Sequence, residues 1–109
     1  MAIITEKTGQ LEYLTAEGIT VPHCFTTRLG GVSEGYLSSL NIGMHRGDDP
    51  KNVEDNYRIL GAALGFSLED LVLTRQIHTD MVRVVTRKDA GRGLDHRDFP
   101  ECDALITKD

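Results

Sequence analysis

A polar group of residues at the end of an apolar segment is where this sequence could most directly do chemistry. Residues 72–77 are rich in β-branched and aliphatic side chains, and His78 follows them, next to Gln76 and Asp80. Polar side chains at the end of a strand often line a binding site. We therefore regard His78 as a candidate catalytic residue, while a purely structural histidine at a strand end would give the same pattern.

The four histidines and two cysteines of the chain suggest metal or thiol chemistry. Zinc takes imidazole and thiolate ligands, and a thiolate nucleophile needs an adjacent base. The spacing supports neither, because C-x-x-C and H-E-x-x-H are absent and a strand would point the neighbours His23 and Cys24 to opposite faces. We interpret His23, Cys24, His96 and Cys102 as structural or surface residues, with both thiols free.

A glycine-rich stretch is the second region that suggests function. Five of the 11 glycines lie between Arg28 and Pro50, in a stretch without sustained periodicity. Long connections without secondary structure are uncommon inside compact domains and are usually functional. Packing within the loop is the only structural explanation for Arg28 and Asn41. Asp48, in contrast, lies at the start of the next predicted helix, where the helix dipole stabilises a carboxylate.

The same loop contains a G-x-S-x-G pattern at residues 31–35, the spacing of the nucleophile elbow of α/β-hydrolases. An elbow requires an apolar strand before the serine and a helix after it, and neither pattern is present here. The loop also lacks the Gly-Lys-Ser/Thr of a phosphate-binding P-loop. We interpret the match as accidental.

A helix should follow this loop. Asp49 suits the N-cap, Pro50 suits the first helical position and Gly65 suits the end. A shorter helical turn is predicted over residues 67–71, because their first residues have the S-x-x-D spacing of a capping box. The apolar residues that recur at helical spacing in the longer helix are Val53, Tyr57, Leu60 and Leu64.

Segments rich in β-branched and aromatic residues predict the strands. Residues 11–15 and 19–27 should form a hairpin through a turn at residues 17–18, irregular or at an edge near Pro22, which lacks an N–H. Further along the chain we predict strands at residues 72–78 and 81–86. They should be joined at residues 79–80, either as a hairpin or as one bent strand. A solvated loop is predicted at residues 87–101, followed by the start of a strand at residues 102–107.

The composition is that of an ordinary globular chain. It has 109 residues, of which 39% are hydrophobic and 27% charged, and a formal net charge of −5. This excludes a disordered or collagen-like chain, and the acidic balance argues against nucleic acid and anionic membranes as partners. The N-terminus does not resemble a signal peptide, and no apolar run approaches the roughly 20 residues of a membrane span. We predict one mixed α/β domain over residues 1–109 and a cytoplasmic location.

At the loop and at His78 the sequence resembles the YfiH-like laccase-domain family, whose members are described as multicopper polyphenol oxidoreductases and as purine nucleoside enzymes. The matching segments follow the family's order and spacing and span nearly the whole chain. They are residues 25–33 (Phe-Thr-Thr-Arg-Leu-Gly-Gly-Val-Ser), residues 39–45, residues 47–50 with Val53 and Asn56, residues 76–78 (Gln-Ile-His) and residues 102–107.

Departures from the family pattern concern the site. The family often has Gly-Pro-Tyr at residues 35–36 and Gln-Val-His-Gly at residues 76–79, mild variations that retain His78. The family's site adds a cysteine in Thr-Ala-Asp-Cys and a histidine in His-Ala-Gly-Trp-Arg-Gly, which would lie downstream of Asp109. Cys102 occupies the Cys/Ala-Asp-Ala position that precedes that cysteine. We therefore expect the chain to be an incomplete domain, the N-terminal portion of a family domain and rather less than half of it.

The resemblance implies mixed β-sheets with outer helices. It also implies a zinc ion held by three residues: His78, the cysteine of Thr-Ala-Asp-Cys and the histidine of His-Ala-Gly-Trp-Arg-Gly. It implies phosphorolysis of purine nucleosides and deamination of adenosine, with a purine nucleoside and phosphate as partners. His78 would be the catalytic residue and zinc ligand; Arg28 and Asn41 would contact phosphate or nucleoside, and Gln76 and Asp48 are weaker candidates. Copper is reported for the family, but laccase chemistry needs several copper centres and many more histidines than four.

The resemblance leaves rival functions. A peptidoglycan-precursor editing amidase would release an amino acid, whereas a phosphorylase releases a purine base and ribose 1-phosphate. A polyphenol oxidase (laccase) is a second rival, and a non-catalytic folding or interaction module is a third, favoured for the isolated chain by the missing ligands. We expect the isolated chain to show neither inosine phosphorolysis nor tight zinc binding, and the sequence leaves open whether it forms a homodimer.

Overall fold

The chain forms two compact units, Met1–Gly65 and Phe66–Asp109, in a computed structural model that describes residues 2–43, 46–93 and 101–109. The first unit contains an antiparallel sheet, a long loop and an α-helix, and the second contains a parallel strand pair and short helical turns. This mixture agrees with the predicted α/β class. Within the described ranges, no helix has the length and apolar character needed to cross a bilayer.

The sheet of the first unit has three strands, β1 (Ile3–Thr8), β2 (Leu11–Ala16) and β3 (Phe25–Thr26), in that order. β1 and β2 form a hairpin that pairs every residue from Ile3 with Ala16 to Thr8 with Leu11. Gly9 makes the turn with a φ of 62°, a left-handed conformation that glycine adopts without steric cost. No pattern in the sequence predicted β1, which is the main partner of β2.

The hairpin predicted between residues 11–15 and 19–27 forms only in part. β2 pairs with β3 as expected, but the residues between the turn at 17–18 and β3 form no strand. Pro22 has no N–H to donate to a ladder. The ring of His23 replaces a backbone partner, because its Nε2 accepts the N–H of Ala16 at 2.9 Å. The structure therefore confirms the irregularity near Pro22 and corrects the length of the strand.

The helix α1 (Pro50–Leu64) begins and ends where the sequence predicts. The carboxylate of Asp49 accepts the N–H of Lys51 at 2.9 Å, and Gly65 ends the helix with a φ of 89°. The buried apolar side chains of the first unit come from this helix, from β2 and from the loop. They are Val53, Tyr57, Leu60, Leu11, Tyr13 and Leu40.

The second unit is built around two short parallel strands, β4 (Val82–Val84) and β5 (Ala104–Ile106). They retain the centres of the strands predicted at 81–86 and 102–107. The predicted turn at 67–71 is confirmed as a 3₁₀ turn, Leu68–Asp70. A second such turn, Arg87–Asp89, opens the predicted loop at 87–101.

The strand predicted at residues 72–78 does not form, so neither a hairpin nor a bent strand joins it to β4. Among the described residues, its one sheet-like contact is an isolated bridge from Arg75 to Glu101. Elsewhere its backbone bonds to other loops, as in the 2.9 Å bond from the N–H of Leu73 to the carbonyl of Arg92. At its end the chain turns at His78, whose φ is 60°. Of the histidines named above, His96 lies outside the described residues, as does His45 in the loop.

Candidate active site

His78 lies on a turn whose backbone is held by one carboxylate. The side chain of Asp103 accepts the N–H groups of Ile77 at 3.1 Å, His78 at 2.7 Å and Thr79 at 2.7 Å. The hydroxyl of Thr79 donates to the same carboxylate at 2.7 Å. Three successive N–H groups pointing to one anion form a backbone nest, which fixes the path of the turn.

These bonds have an electrostatic consequence for Asp103. The hydroxyl of Thr79 has the largest effect, and together with the backbone N–H groups it holds the pKa of the Asp103 carboxyl below its usual value, although burial acts in the opposite direction. Asp103 is therefore ionised at neutral pH. Its charge is used in hydrogen bonds to the turn, so it orients the chain at His78.

The imidazole of His78 is exposed, and it makes no hydrogen bond within the part of the chain that the structure describes. Gln76 and Asp80, its predicted polar neighbours, are exposed as well. An exposed imidazole on a fixed turn can ligate a metal or move a proton. Sequence reasoning missed Asp103, because no short-range spacing connects a residue to a turn about 25 positions earlier.

In the first unit, a second carboxylate organises the glycine-rich loop. The helix dipole is predicted to stabilise the Asp48 carboxylate, but three of the four hydrogen bonds that the structure describes for that carboxylate come from side chains. Those bonds and the adjacent N–H lower the pKa of Asp48, the hydroxyl of Ser33 most strongly. The donors to Asp48 are the hydroxyl of Ser33, the amide of Asn41 at 3.2 Å, the amide of Asn52 at 3.0 Å and the N–H of Asp49 at 2.9 Å.

Asn56 completes this network from inside the helix. It is fully buried, and its amide donates to the hydroxyl of Ser33 at 2.9 Å and to the carbonyl of Asn41 at 2.7 Å. Its side-chain oxygen accepts the N–H of Val32 at 2.8 Å. Ser33 is buried and bonded on both sides, which agrees with reading its G-x-S-x-G pattern as accidental. The polar groups of the Asn41 side chain are also bonded inside the loop, to Gly43 and Asp48.

Arg28 is a loop residue with side-chain groups left for a ligand. Its Nε donates to the carbonyl of Ser38 at 3.0 Å, and its own carbonyl accepts the N–H groups of Ser39 at 2.7 Å and Leu40 at 2.9 Å. The side chain is exposed, and its terminal nitrogens have no carboxylate partner among the described residues. An oriented guanidinium of this kind can hold an anion bidentately.

The structure places these candidates in separate units. Arg28, Asn41 and Asp48 lie in the first unit and Gln76 and His78 in the second. Asn41 and Asp48 are in direct contact, while Gln76 and His78 share a turn.

The described residues do not bring together a complete set of zinc ligands. Residues 2–43, 46–93 and 101–109 contain no group of three His, Cys, Asp or Glu side chains able to hold a metal. His23 is bonded at both ring nitrogens, burial raises the pKa of the Cys24 thiol, and Cys102 is fully buried. Neither Cys24 nor Cys102 forms a disulfide in the structure, as predicted. The described residues alone therefore do not form the zinc site that the resemblance implies, and His78 would be one member of a larger set.

Curated proteins similar to this chain are purine nucleoside phosphorylases. The chain is 43% identical to the purine nucleoside phosphorylase of Deinococcus radiodurans over 97 residues, covering 89% of the chain and 34% of that protein. It is 42% identical to the purine nucleoside phosphorylase YlmD of Geobacillus stearothermophilus, covering 75% of the chain and 31% of that protein. The chain thus spans about a third of the length of these relatives.

Solved structures show the same fold. The crystal structure of YlmD from Geobacillus stearothermophilus matches with a TM-score of 0.81 and 31% identity, over 99% of this chain and 42% of that one. The hypothetical protein YfiH of Bacillus licheniformis matches with a TM-score of 0.71 and 33% identity, over 79% of this chain and 33% of that one. Residues 22–109 also match the family described as multi-copper polyphenol oxidoreductase laccase. Since this match covers most of the sequence, the chain belongs to that laccase-like family, as its resemblance to YfiH-like proteins predicted.

Proposed function

We propose that this chain forms the N-terminal part of a zinc-dependent purine nucleoside phosphorylase that also deaminates adenosine. The observation that carries the proposal is the exposed imidazole of His78 on a turn fixed by Asp103. The names of relatives 42% and 43% identical to the chain support the phosphorylase activity. Zinc and deamination rest on the resemblance to the family.

The chemistry assigns different tasks to the two units. In phosphorolysis an oxygen of hydrogen phosphate attacks C1′ of the ribose, the bond from C1′ to the base nitrogen breaks, and the base nitrogen takes up the proton that the phosphate loses. Arg28 would bind and orient the phosphate through its terminal nitrogens. His78 would be one zinc ligand, and a bound zinc ion would supply Lewis-acid stabilisation of developing negative charge.

The remaining candidates have supporting tasks. Gln76 is exposed and near His78 in sequence, so its amide would contact the nucleoside. The side chains of Asn41 and Asp48 form hydrogen bonds within the loop and to the start of the helix. We therefore propose that they hold the conformation of the loop that carries Arg28. The partners of the protein would be a purine nucleoside, phosphate and the rest of a family domain.

A non-catalytic folding module is the second candidate function. It is favoured because the described residues contain no group of three side chains able to hold a metal ion. The two functions differ in what happens when the rest of a family domain is supplied, because a phosphorylase portion then becomes active and a mere module does not.

The test is a chimera in which this chain replaces the matched part of Geobacillus stearothermophilus YlmD. Inosine and phosphate are the substrates, and hypoxanthine and ribose 1-phosphate are measured. We expect the 109-residue chain alone to give no product above blank and the chimera to turn over. Turnover by the chain alone would contradict the incomplete-site proposal, and a folded but inactive chimera would favour the non-catalytic module.

Two substitutions in the chimera test the residue roles. His78→Ala should lower kcat by on the order of a hundredfold or more, and Arg28→Ala should raise the KM for phosphate by about tenfold, since a charge-assisted bidentate contact is lost. Arg58→Ala is the matched control, because Arg58 is an exposed arginine paired with Glu54 and Asp55 on the helix surface. Unchanged kinetics in His78→Ala would refute the assigned role.

A further inference from the structure

The turn at residues 76–80 is anchored more firmly than an exposed loop needs to be. Two backbone bonds fix its ends: the N–H of Cys102 donates to the carbonyl of Arg75 at 3.1 Å, and the N–H of Asp103 donates to the carbonyl of Met81 at 3.0 Å. Asp103 therefore holds the turn in two ways. Its backbone N–H bonds to one end of the turn, and its side chain accepts the N–H groups in the middle. Asp103 is itself fixed by its position between the buried Cys102 and the strand β5.

Inside the turn, the bonds to Asp103 are divided between its two oxygens. Oδ1 accepts the N–H groups of Ile77 and His78, and Oδ2 accepts the N–H and the hydroxyl of Thr79. The hydroxyl of Thr79 also accepts the N–H of Met81 at 3.2 Å. The donors to Asp103 all lie at His78 or at its two neighbours, so these bonds determine the backbone conformation at His78.

The backbone at His78 needs such support. A φ of 60° is uncommon for a residue with a Cβ, although histidine adopts it more often than most. A residue held in a sparsely populated region persists only where the surroundings determine it. Without the carboxylate, the turn would relax toward an extended backbone and the imidazole would leave its present direction.

From this geometry we infer that Asp103 and Thr79 are positioning residues, which hold the backbone of residues 77–79 so that the Cα–Cβ bond of His78 keeps one direction and its imidazole is presented from a fixed point. The inference rests on the proposed function for the role of His78, and it extends it to two residues that touch neither substrate nor metal. Asp103 bonds to the backbone and not to the imidazole ring. It therefore fixes the backbone at His78 and leaves both ring nitrogens available.

The first experiment uses the 109-residue chain and needs no activity. Amide hydrogen exchange at residues 77–79 is measured by NMR in wild type and in Asp103→Asn, which keeps the shape of the side chain but replaces one acceptor oxygen by a donor. We expect exchange to accelerate at least about tenfold, because exposed amides that lose their hydrogen bonds open freely. The nuclear Overhauser pattern of a positive φ at His78 should also disappear. Asp80→Asn, in the same turn, is the matched control and should change neither.

Thr79 provides a rescue test. Thr79→Val removes the hydroxyl and should accelerate exchange at His78 and Thr79, whereas Thr79→Ser keeps the hydroxyl and should restore the wild-type rate. If amide exchange in Asp103→Asn were as slow as in wild type, the inference for Asp103 would be wrong. If Thr79→Val and Thr79→Ser exchanged at equal rates, the inference for Thr79 would be wrong.

The second experiment connects the turn to function in the chimera with YlmD. Asp103→Asn and Thr79→Val should lower kcat and zinc affinity by about 10–100-fold, the usual effect of losing a residue that orients a ligand, with the KM for phosphate unchanged. Accelerated exchange with unchanged kcat, while His78→Ala remains inactive, overturns the positioning role and leaves the proposed function standing. A fully active His78→Ala chimera refutes the role that the proposed function assigns to His78, and the inference with it.

Discussion

Two aspartates organise the two candidate regions of this molecule in different ways. Asp48 collects side chains from distant parts of the first unit, from Ser33 in the loop to Asn52 in the helix. Asp103 collects the backbone N–H groups of one short turn in the second unit, together with one hydroxyl. Hydrogen bonds lower the pKa of both carboxyl groups.

The difference separates two uses of the same chemical group. A carboxylate that connects side chains far apart in sequence stabilises the tertiary arrangement, so its loss should weaken the whole unit. A carboxylate that binds consecutive N–H groups determines local backbone direction, so its loss should affect the turn and leave the rest in place. Tyrosine fluorescence distinguishes the two, because the chain has no tryptophan and its three tyrosines, Tyr13, Tyr36 and Tyr57, all lie in the first unit.

The largest effect should come from Gly31→Ala in the loop of the first unit. A Cβ at Gly31 would lie 2.5 Å from Oδ1 of Asn56 and 2.6 Å from Cα of Leu40, which the packed loop cannot accommodate. We expect a loss of about 3 kcal/mol or more in unfolding free energy, followed by tyrosine fluorescence in denaturant. Gly35→Ala is the control: its φ of 66° costs about 1–2 kcal/mol, with no atom within 4 Å of the new Cβ. Equal losses in the two variants would contradict the steric explanation.

Asn56→Leu should have the next largest effect. The substitution leaves the N–H of Val32 and the carbonyl of Asn41 without their side-chain partner, and it removes one bond of the Ser33 hydroxyl. An unfolding free energy lower by about 2–4 kcal/mol is expected, because buried polar groups that lose partners keep their desolvation cost.

Glu54→Gln on the same helix serves as the control for Asn56→Leu, since Glu54 makes only a loose 3.8 Å contact with Arg58. A change within about 0.5 kcal/mol is expected there. If Asn56→Leu were equally mild, the buried network would not stabilise the loop.

Asp49→Ala should have a moderate effect. The variant loses the N-cap bond from the N–H of Lys51, with an expected cost of about 1 kcal/mol in thermal or denaturant unfolding. Asp49→Ser should recover most of the loss, because a serine oxygen can accept the same N–H. A serine variant as unstable as the alanine variant would show that the charge, not the cap, is what stabilises the helix start.

The smallest expected effect is a difference between Asp48→Asn and Asp103→Asn in how the stability of the first unit depends on pH in acid. Both aspartates have a folded pKa below the ordinary 3.8, so their contribution to stability is present above that pH and is lost as the pH falls through the lowered folded values. Asp48→Asn should flatten the acid dependence of the tyrosine transition. Asp103→Asn should leave that transition unchanged, because the bonds that the structure describes for Asp103 all lie in the second unit. A flattened transition in Asp103→Asn would contradict the local role.

Local patterns predicted the helix well. Asp49, Pro50 and Gly65 determine its ends through contacts within a few residues, and the structure has the same ends. The resemblance to the family is likewise a property of short segments, and the family match confirms it. The roles of His78, Arg28, Asn41, Gln76 and Asp48 stay predictions.

Patterns failed where distant residues decide the structure. Residues 72–78 have the composition of a strand, but the N–H of Leu73 donates to the carbonyl of Arg92 and the N–H groups of Ile77 and His78 donate to the Asp103 carboxylate, so these groups are not available to a strand ladder. Asn56 is polar in a helix whose predicted face was apolar, and nothing in the spacing indicates that three groups of the loop converge on it. β1 escaped prediction because its charged residues interrupt the β-branched ones.

The left-handed backbone at His78 also determines how this position should respond to selection. Glycine adopts such a φ without a Cβ penalty, so His78→Gly should raise the unfolding free energy of the turn by about 0.5–1 kcal/mol, measurable by amide exchange. A library of variants screened for heat resistance would thus enrich glycine at position 78. A library screened for turnover in the chimera would retain histidine, and opposite enrichment at one residue is the trade-off between stability and activity that marks a functional position.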